Sequence, residues 1–79
     1  MNNLNHCISI FTGDIPPSKA LFLKLENAFL LANTHEIIEI VSQKANIETE
    51  LRGWAKLRGH LYLGTENLKH QYWYKIQKL

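Results

Sequence analysis

The residues able to do chemistry are few and scattered. Cys7 is the only thiol in the 79-residue chain, and His6 stands beside it. Neighbours in a strand point to opposite faces, so His6 is poorly placed to activate Cys7, and a half-buried structural thiol is the plainer reading. The four histidines, His6, His35, His60 and His70, show no helical i,i+4 pair and no tight cluster. A structural zinc site needs four ligands in close pairs, so no metal and no cofactor is expected. No Ser-His-Asp set, glycine-rich phosphate loop or carboxylate pair on a shared face emerges. Asp14 reads as a turn or capping residue.

Two aromatic groups remain. Trp54 falls at helical spacing with Ile47 and Leu51 and reads as core. In the run Tyr72-Trp73-Tyr74 the three side chains cannot all face one way. If Tyr72, Tyr74 and Ile76 face a core, Trp73 and Lys75 lie on the opposite face. Tyr62 and Cys7 are expected to join them there, near Lys78. Such a surface suits a protein partner, for which tryptophan and tyrosine are common anchors. It also suits stacking with a nucleic acid, although no RNA- or DNA-binding signature supports that alternative.

The elements that must hold these residues follow from hydrophobic periodicity. Leu4 to Phe11 alternates with period two and predicts a strand. Gly13-Asp14-Ile15-Pro16-Pro17 breaks it, with Pro17 suited to be the first helical residue. Leu21, Leu25, Ala28 and Ala32 then mark a helix that ends at Asn33-Thr34. Glu36 to Val41 is a β-branched run and predicts a central strand. Asn46 is the expected N-cap of a second helix, with Glu48 and Glu50 in its first turn and Gly59 as its stop. His60 to Leu63 reads as a strand, Gly64 to Lys69 as a turn and Gln71 to Gln77 as the closing strand of a hairpin. The order βαβαββ predicts one domain over residues 1–79. The fold class is α/β: a two-layer sandwich of a four-stranded mixed sheet with two helices on one face.

Composition bounds the rest. With 46% hydrophobic and 20% charged residues the chain is a globular type, and one cysteine excludes an internal disulfide. A core of this size is marginal, so a homodimer or a standing protein partner is expected. No secretory signal or membrane-length apolar run is visible, which makes the cytoplasm the expected location and a membrane an unexpected partner. Residues 1–51 carry three lysines against six acids, whereas residues 52–79 carry six basic residues against Glu66 alone. A basic final third suggests contact with something acidic, or simply a solvated surface.

This order and three local segments resemble the TusA/SirA-like sulfur-carrier family. Gly13-Asp14-Ile15-Pro16-Pro17 resembles the family signature at the start of the first helix. Trp54 to Gly59-His60 resembles its second helix and the step into the third strand, and Tyr72 to Ile76 its final strand. The resemblance spans roughly residues 4–78 and implies the fold and a docking surface around Asp14, Ile15, Pro16 and Pro17. It does not carry over the chemistry. The family's sulfur-bearing cysteine immediately precedes the first proline, and Ile15 stands there. Pro16 and Pro17 also remove two N–H donors, and Asp14 adds a negative charge, so the helix start is a weakened anion site. The resemblance therefore implies a non-catalytic protein-binding or regulatory module linked to sulfur trafficking or redox metabolism. A sulfurtransferase using Cys7, and a nucleic-acid binder using the basic closing strand, are the alternatives.

Overall fold

The computed structural model describes residues 7–79. The elements run β1 (Cys7–Gly13), α1 (Lys19–Leu31), β2 (Ile37–Ser42), α2 (Glu48–Arg58), β3 (Leu61–Leu68) and β4 (Gln71–Gln77). They form one mixed sheet in the order β1-β2-β4-β3, with β1 parallel to β2 and the other neighbours antiparallel. The α/β sandwich is thus as the periodicity predicts. Residues 4–6 of the expected first strand, His6 included, lie outside the described residues.

The core forms because the two central strands alternate strictly. Ile38 and Ile40 of β2 pair with Ile76 and Tyr74 of β4, and all four are buried. Leu21, Leu25 and Phe29 of α1 and Leu51, Trp54 and Ala55 of α2 close over the same side. Both helices therefore cover one face. An aromatic seam joins them: Trp54 meets the Phe29 ring edge-on at 5.0 Å between centroids, and Phe22 stacks beside it at 6.4 Å. The Arg58–Glu26 ion pair closes the seam at the surface.

Local boundaries differ from the sequence expectation where a buried side chain overrides a capping preference. Helix α1 begins at Lys19 with Ser18 as N-cap, not at Pro17. A turn bond from Ile15 N–H to the Thr12 carbonyl folds Ile15 back so that it packs on the core, and Pro17 stays in the approach to the helix. Asn46 is not the N-cap of α2. It takes a left-handed φ of 64°, a conformation asparagine tolerates, and Ile47 occupies the cap position because its side chain is buried in the core. The expected turn over Gly64–Lys69 is strand instead. Gly64 accommodates a bulge at φ 150°, β3 continues to Leu68, and the turn is only Lys69-His70. Both of those residues have positive φ, as a tight two-residue hairpin requires.

The end of α2 is built as a Schellman motif. Gly59 N–H donates to the Lys56 carbonyl and His60 N–H to the Ala55 carbonyl, with Gly59 left-handed at φ 78°. Gly59 thus owes its residue type to helix termination, whereas His60 contributes only its backbone N–H to it. The same glycine type has the opposite meaning at position 53, inside α2, where an added Cβ would meet nothing within 4 Å. Gly53→Ala should raise stability by about 0.5–1 kcal/mol. Gly59→Ala should lower it by roughly 1–2 kcal/mol, since alanine must take the left-handed conformation. Denaturant melts of the two variants would check the signs, and a shared sign would contradict this description of α2.

Candidate functional site

The uncovered face of the sheet is assembled by the odd-numbered positions of β1, β2 and β4. It consists of cross-strand rows. Phe11, Val41, Trp73 and Glu66 form one row, and Ser9, Glu39, Lys75 and Gly64 the next. Cys7, Ile37, Gln77 and Leu61 form a third. Val41 is only 4% exposed although no helix covers it, because Phe11 and Trp73 flank it on the two neighbouring strands. Phe11 itself is 73% exposed. An open depression of about 480 Å³ lies against Trp73, bordered by Glu39, Glu66, Asn67 and Leu68.

The charged groups of this face make contacts within and between the rows. Ser9 Oγ donates to Glu39 Oε1 at 3.1 Å, and Lys75 Nζ pairs with Glu66 Oε1 at 3.2 Å. The surface is therefore an apolar strip beside fixed, alternating charges, which suits a protein contact better than a polyanion. Three other basic residues of the final third are engaged elsewhere in the fold. Arg52 pairs with Glu48 at 2.8 Å, and Arg58 with Glu26. Lys78 does not join the open face: its ammonium donates to the Phe29 and Ala32 carbonyls at 2.7 and 2.8 Å, at the C-terminal end of α1. Cations favour that end of a helix. Four of the six basic residues in the final third are thus engaged within the fold.

Trp73, Lys75 and Cys7 share the open face, as their alternation predicts. Tyr62 does not. It pairs with Ile76 on the helix-covered side and packs against the core, because the β3 bulge falls after it and not before. Its hydroxyl meets Thr65 Oγ1, Thr65 in turn donates to Glu48 at 3.2 Å, and the Arg52 guanidinium lies 4.6 Å over its ring. Tyr62 fastens α2 to β3. Asp14 and Pro16 are exposed in the loop before α1, while Ile15 is half-buried with its side chain on the core. That loop is tied to the end of β2 through Gly13, whose carbonyl accepts from Gln43 N–H at 2.7 Å and from Ser42 Oγ at 3.2 Å.

Cys7 is exposed, and its described surroundings favour the neutral thiol. Partial desolvation pushes its pKa up, the Glu39 carboxylate pushes further, and Lys75 offsets only part of this. The neutral thiol, the weaker nucleophile, therefore prevails near neutral pH. Among the described residues no three histidine, cysteine or acidic side chains come together as metal ligands. No described helix is long and apolar enough to cross a membrane.

Phe11 and Val41 went unremarked among the sequence candidates. Their signal is present in the alternation: Phe11 shares parity with Cys7, and Val41 follows Ile37 and Glu39 on the outward side of β2. No protein-family model, curated protein or solved structure matches the chain. What the coordinates define is a two-layer α/β domain with one sheet face left uncovered.

One half-buried imidazole gives the helix-covered side a pH dependence. His60 stacks on Phe29 at 4.6 Å between ring centroids, and its Nδ1 is buried without a hydrogen-bond partner among the described residues. Burial lowers its pKa below the ordinary 6.5, and Lys78 nearby lowers it further. The unfolded chain thus takes up this proton before the folded chain does. The His60 contribution is fully present above about pH 6.5 and declines as the pH falls from the unfolded toward the folded value. Thermal melts from about pH 7.5 to pH 5 should fall more steeply for the wild type than for His60→Phe. Parallel curves would show that the imidazole is not held neutral.

Proposed function

We propose that the chain is a non-catalytic protein-docking module of the cytoplasm, related to the TusA/SirA-like sulfur carriers, that binds its partner through the uncovered sheet face. The observation that carries this reading is the Phe11–Val41–Trp73 row. Three apolar residues stand side by side on three adjacent strands, with no described element over them. Leu68, 61% exposed, extends the apolar ground beyond Trp73. Aromatic anchors with a charged surround form the usual energetic centre of a protein contact. The partner offers an apolar projection for the depression beside Trp73 and charges that complement Lys75, Glu39 and Glu66.

The link to sulfur or redox metabolism rests on the resemblance alone. The geometry at the signature supports a docking role over a carrier role. Ile15 is directed to the core, so nothing at the start of α1 can hold a sulfane sulfur. Cys7 lies on the sheet face with a raised pKa, unlike a thiolate poised at a helix start. The nucleic-acid alternative draws least support, because Lys75 is paired with Glu66 and Lys78 is turned to α1.

Two comparisons test this reading. Proteins retained from native-cell extract by the immobilised wild type should be lost with a Phe11→Ser/Trp73→Ser double variant that keeps the wild-type circular dichroism. They should remain with Asp14→Ala. Retention of the same set by the double variant would remove the open face as the contact. Separately, incubation with a cysteine desulfurase and labelled cysteine should leave no stable label on the protein. Label held by the wild type and absent from Cys7→Ser would establish a sulfur carrier in its place.

A further inference from the structure

The two edges of the sheet are unlike. β3 forms one edge and is interrupted by the bulge between Tyr62 and Gly64, carries Glu66 and ends beside Lys69. β1 forms the other edge. Its sequence, CISIFTG, contains no charge and no proline, and it is irregular only between Phe11 and Gly13. An edge strand exposes a row of N–H and C=O groups that will accept another strand unless charge, proline, a bulge or a covering element prevents it. Among the described residues none of these devices guards the stretch from Cys7 to Phe11.

The covered face is also unfinished at this edge. Ile8 lies on the helix side, opposite Ile38 of β2, yet Ile8 is 38% exposed while Ile38 is fully buried. The helices stop short of β1. Around α1, Phe22 and Glu26 turn toward Trp54 and Arg58 of α2. Helical spacing puts Lys24, Ala28 and Leu31 on the opposite flank, and Leu31 is 84% exposed. Through Ile8, apolar surface reaches the rim at the edge where the strand itself is unguarded.

We propose that β1 pairs antiparallel with β1 of a second copy of this chain, about a two-fold axis at Ser9, to give one continuous eight-stranded sheet. In this register Ser9 faces Ser9 of the second copy. Ile8 faces Ile10 on the helix side, and Cys7 faces Phe11 on the open side. Every opposed pair is uncharged, and the two β-branched residues cover each other twice. A second copy fits better than an unrelated strand because the segment complements itself under two-fold rotation, the geometry that closes a dimer. The alternative of β1 joining β3, which would propagate into a filament, is blocked by the β3 bulge. The dimer extends the open faces of both copies into one surface, but the pairing does not depend on what that surface binds.

Sedimentation of the full chain from about 1 to 100 µM tests the assembly. The wild type should reach twice the chain mass within this range, and Ile8→Lys should weaken the dimer by at least about tenfold. The register is tested by crosslinking. Directly opposed residues on antiparallel strands have Cα atoms about 4.5–5.5 Å apart, within disulfide reach. In a Cys7→Ser background, Ser9→Cys should oxidise to a linked dimer, while Leu68→Cys, on the other edge strand, should not. A wild type that stays monomeric throughout would overturn the proposal. So would Ser9→Cys crosslinking no faster than Leu68→Cys, which would signify unspecific or face-to-face association. A folded Trp73→Glu variant should still dimerise, so this pairing and the docking role of the open face can fail separately.

Discussion

The structure depends on one constraint: two helices are available to cover a four-stranded sheet. Strand alternation forces half of every strand's side chains to each face, and the apolar half of β2 and β4 is spent on the helix side. Ile38, Ile40, Tyr74 and Ile76 meet α1 and α2 there, and the hydroxyl of Tyr74 reaches the Lys44 carbonyl at 2.6 Å to anchor the loop before α2. Everything on the opposite face must then manage in water. It does so by pairing Lys75 with Glu66, by giving Glu39 the Ser9 hydroxyl, and by placing Phe11 and Trp73 on either side of Val41. The exposed apolar row is the residue of that constraint, and it is also the feature with the most to offer a partner.

The polar side chains of the covered layer are mostly occupied by fastening. Arg52, Glu48, Thr65 and Tyr62 join α2 to β3, and Glu26 and Arg58 join the helices to each other. Lys78 holds the end of α1 from the last residues of the chain. A small core without disulfides gains from such links, even where each exposed ion pair contributes only about 0–1 kcal/mol. Four of the six basic residues from Arg52 onward are engaged in this way within the fold.

Much of this was legible in the sequence, and the reason is periodicity. The β-branched run from Glu36 to Val41 predicted a central strand, and alternation along QYWYKIQ put Trp73 and Lys75 opposite Tyr72, Tyr74 and Ile76 in the closing strand. The helical recurrence of Leu21, Leu25 and Phe29 fixed α1. What could not be read was set by long-range contacts. Nothing local shows that Gly64 bulges and β3 continues, and the bulge decides that Tyr62 faces inward. Nothing local gives Lys78 to α1. Ile15 marked a missing nucleophile in the sequence, whereas the coordinates add that its side chain serves the core.

On the proposed reading the uncovered face is the surface that meets a partner. Hydroxyl-radical footprinting in native-cell extract and in buffer tests that most directly, because it reads side-chain protection without altering the chain. Phe11 and Trp73 should be protected in extract relative to buffer, while Leu23 and Leu57, exposed on the helix layer, should react equally in both. Protection of Leu23 and Leu57 with Phe11 and Trp73 unchanged would place the contact on the helices and contradict the account.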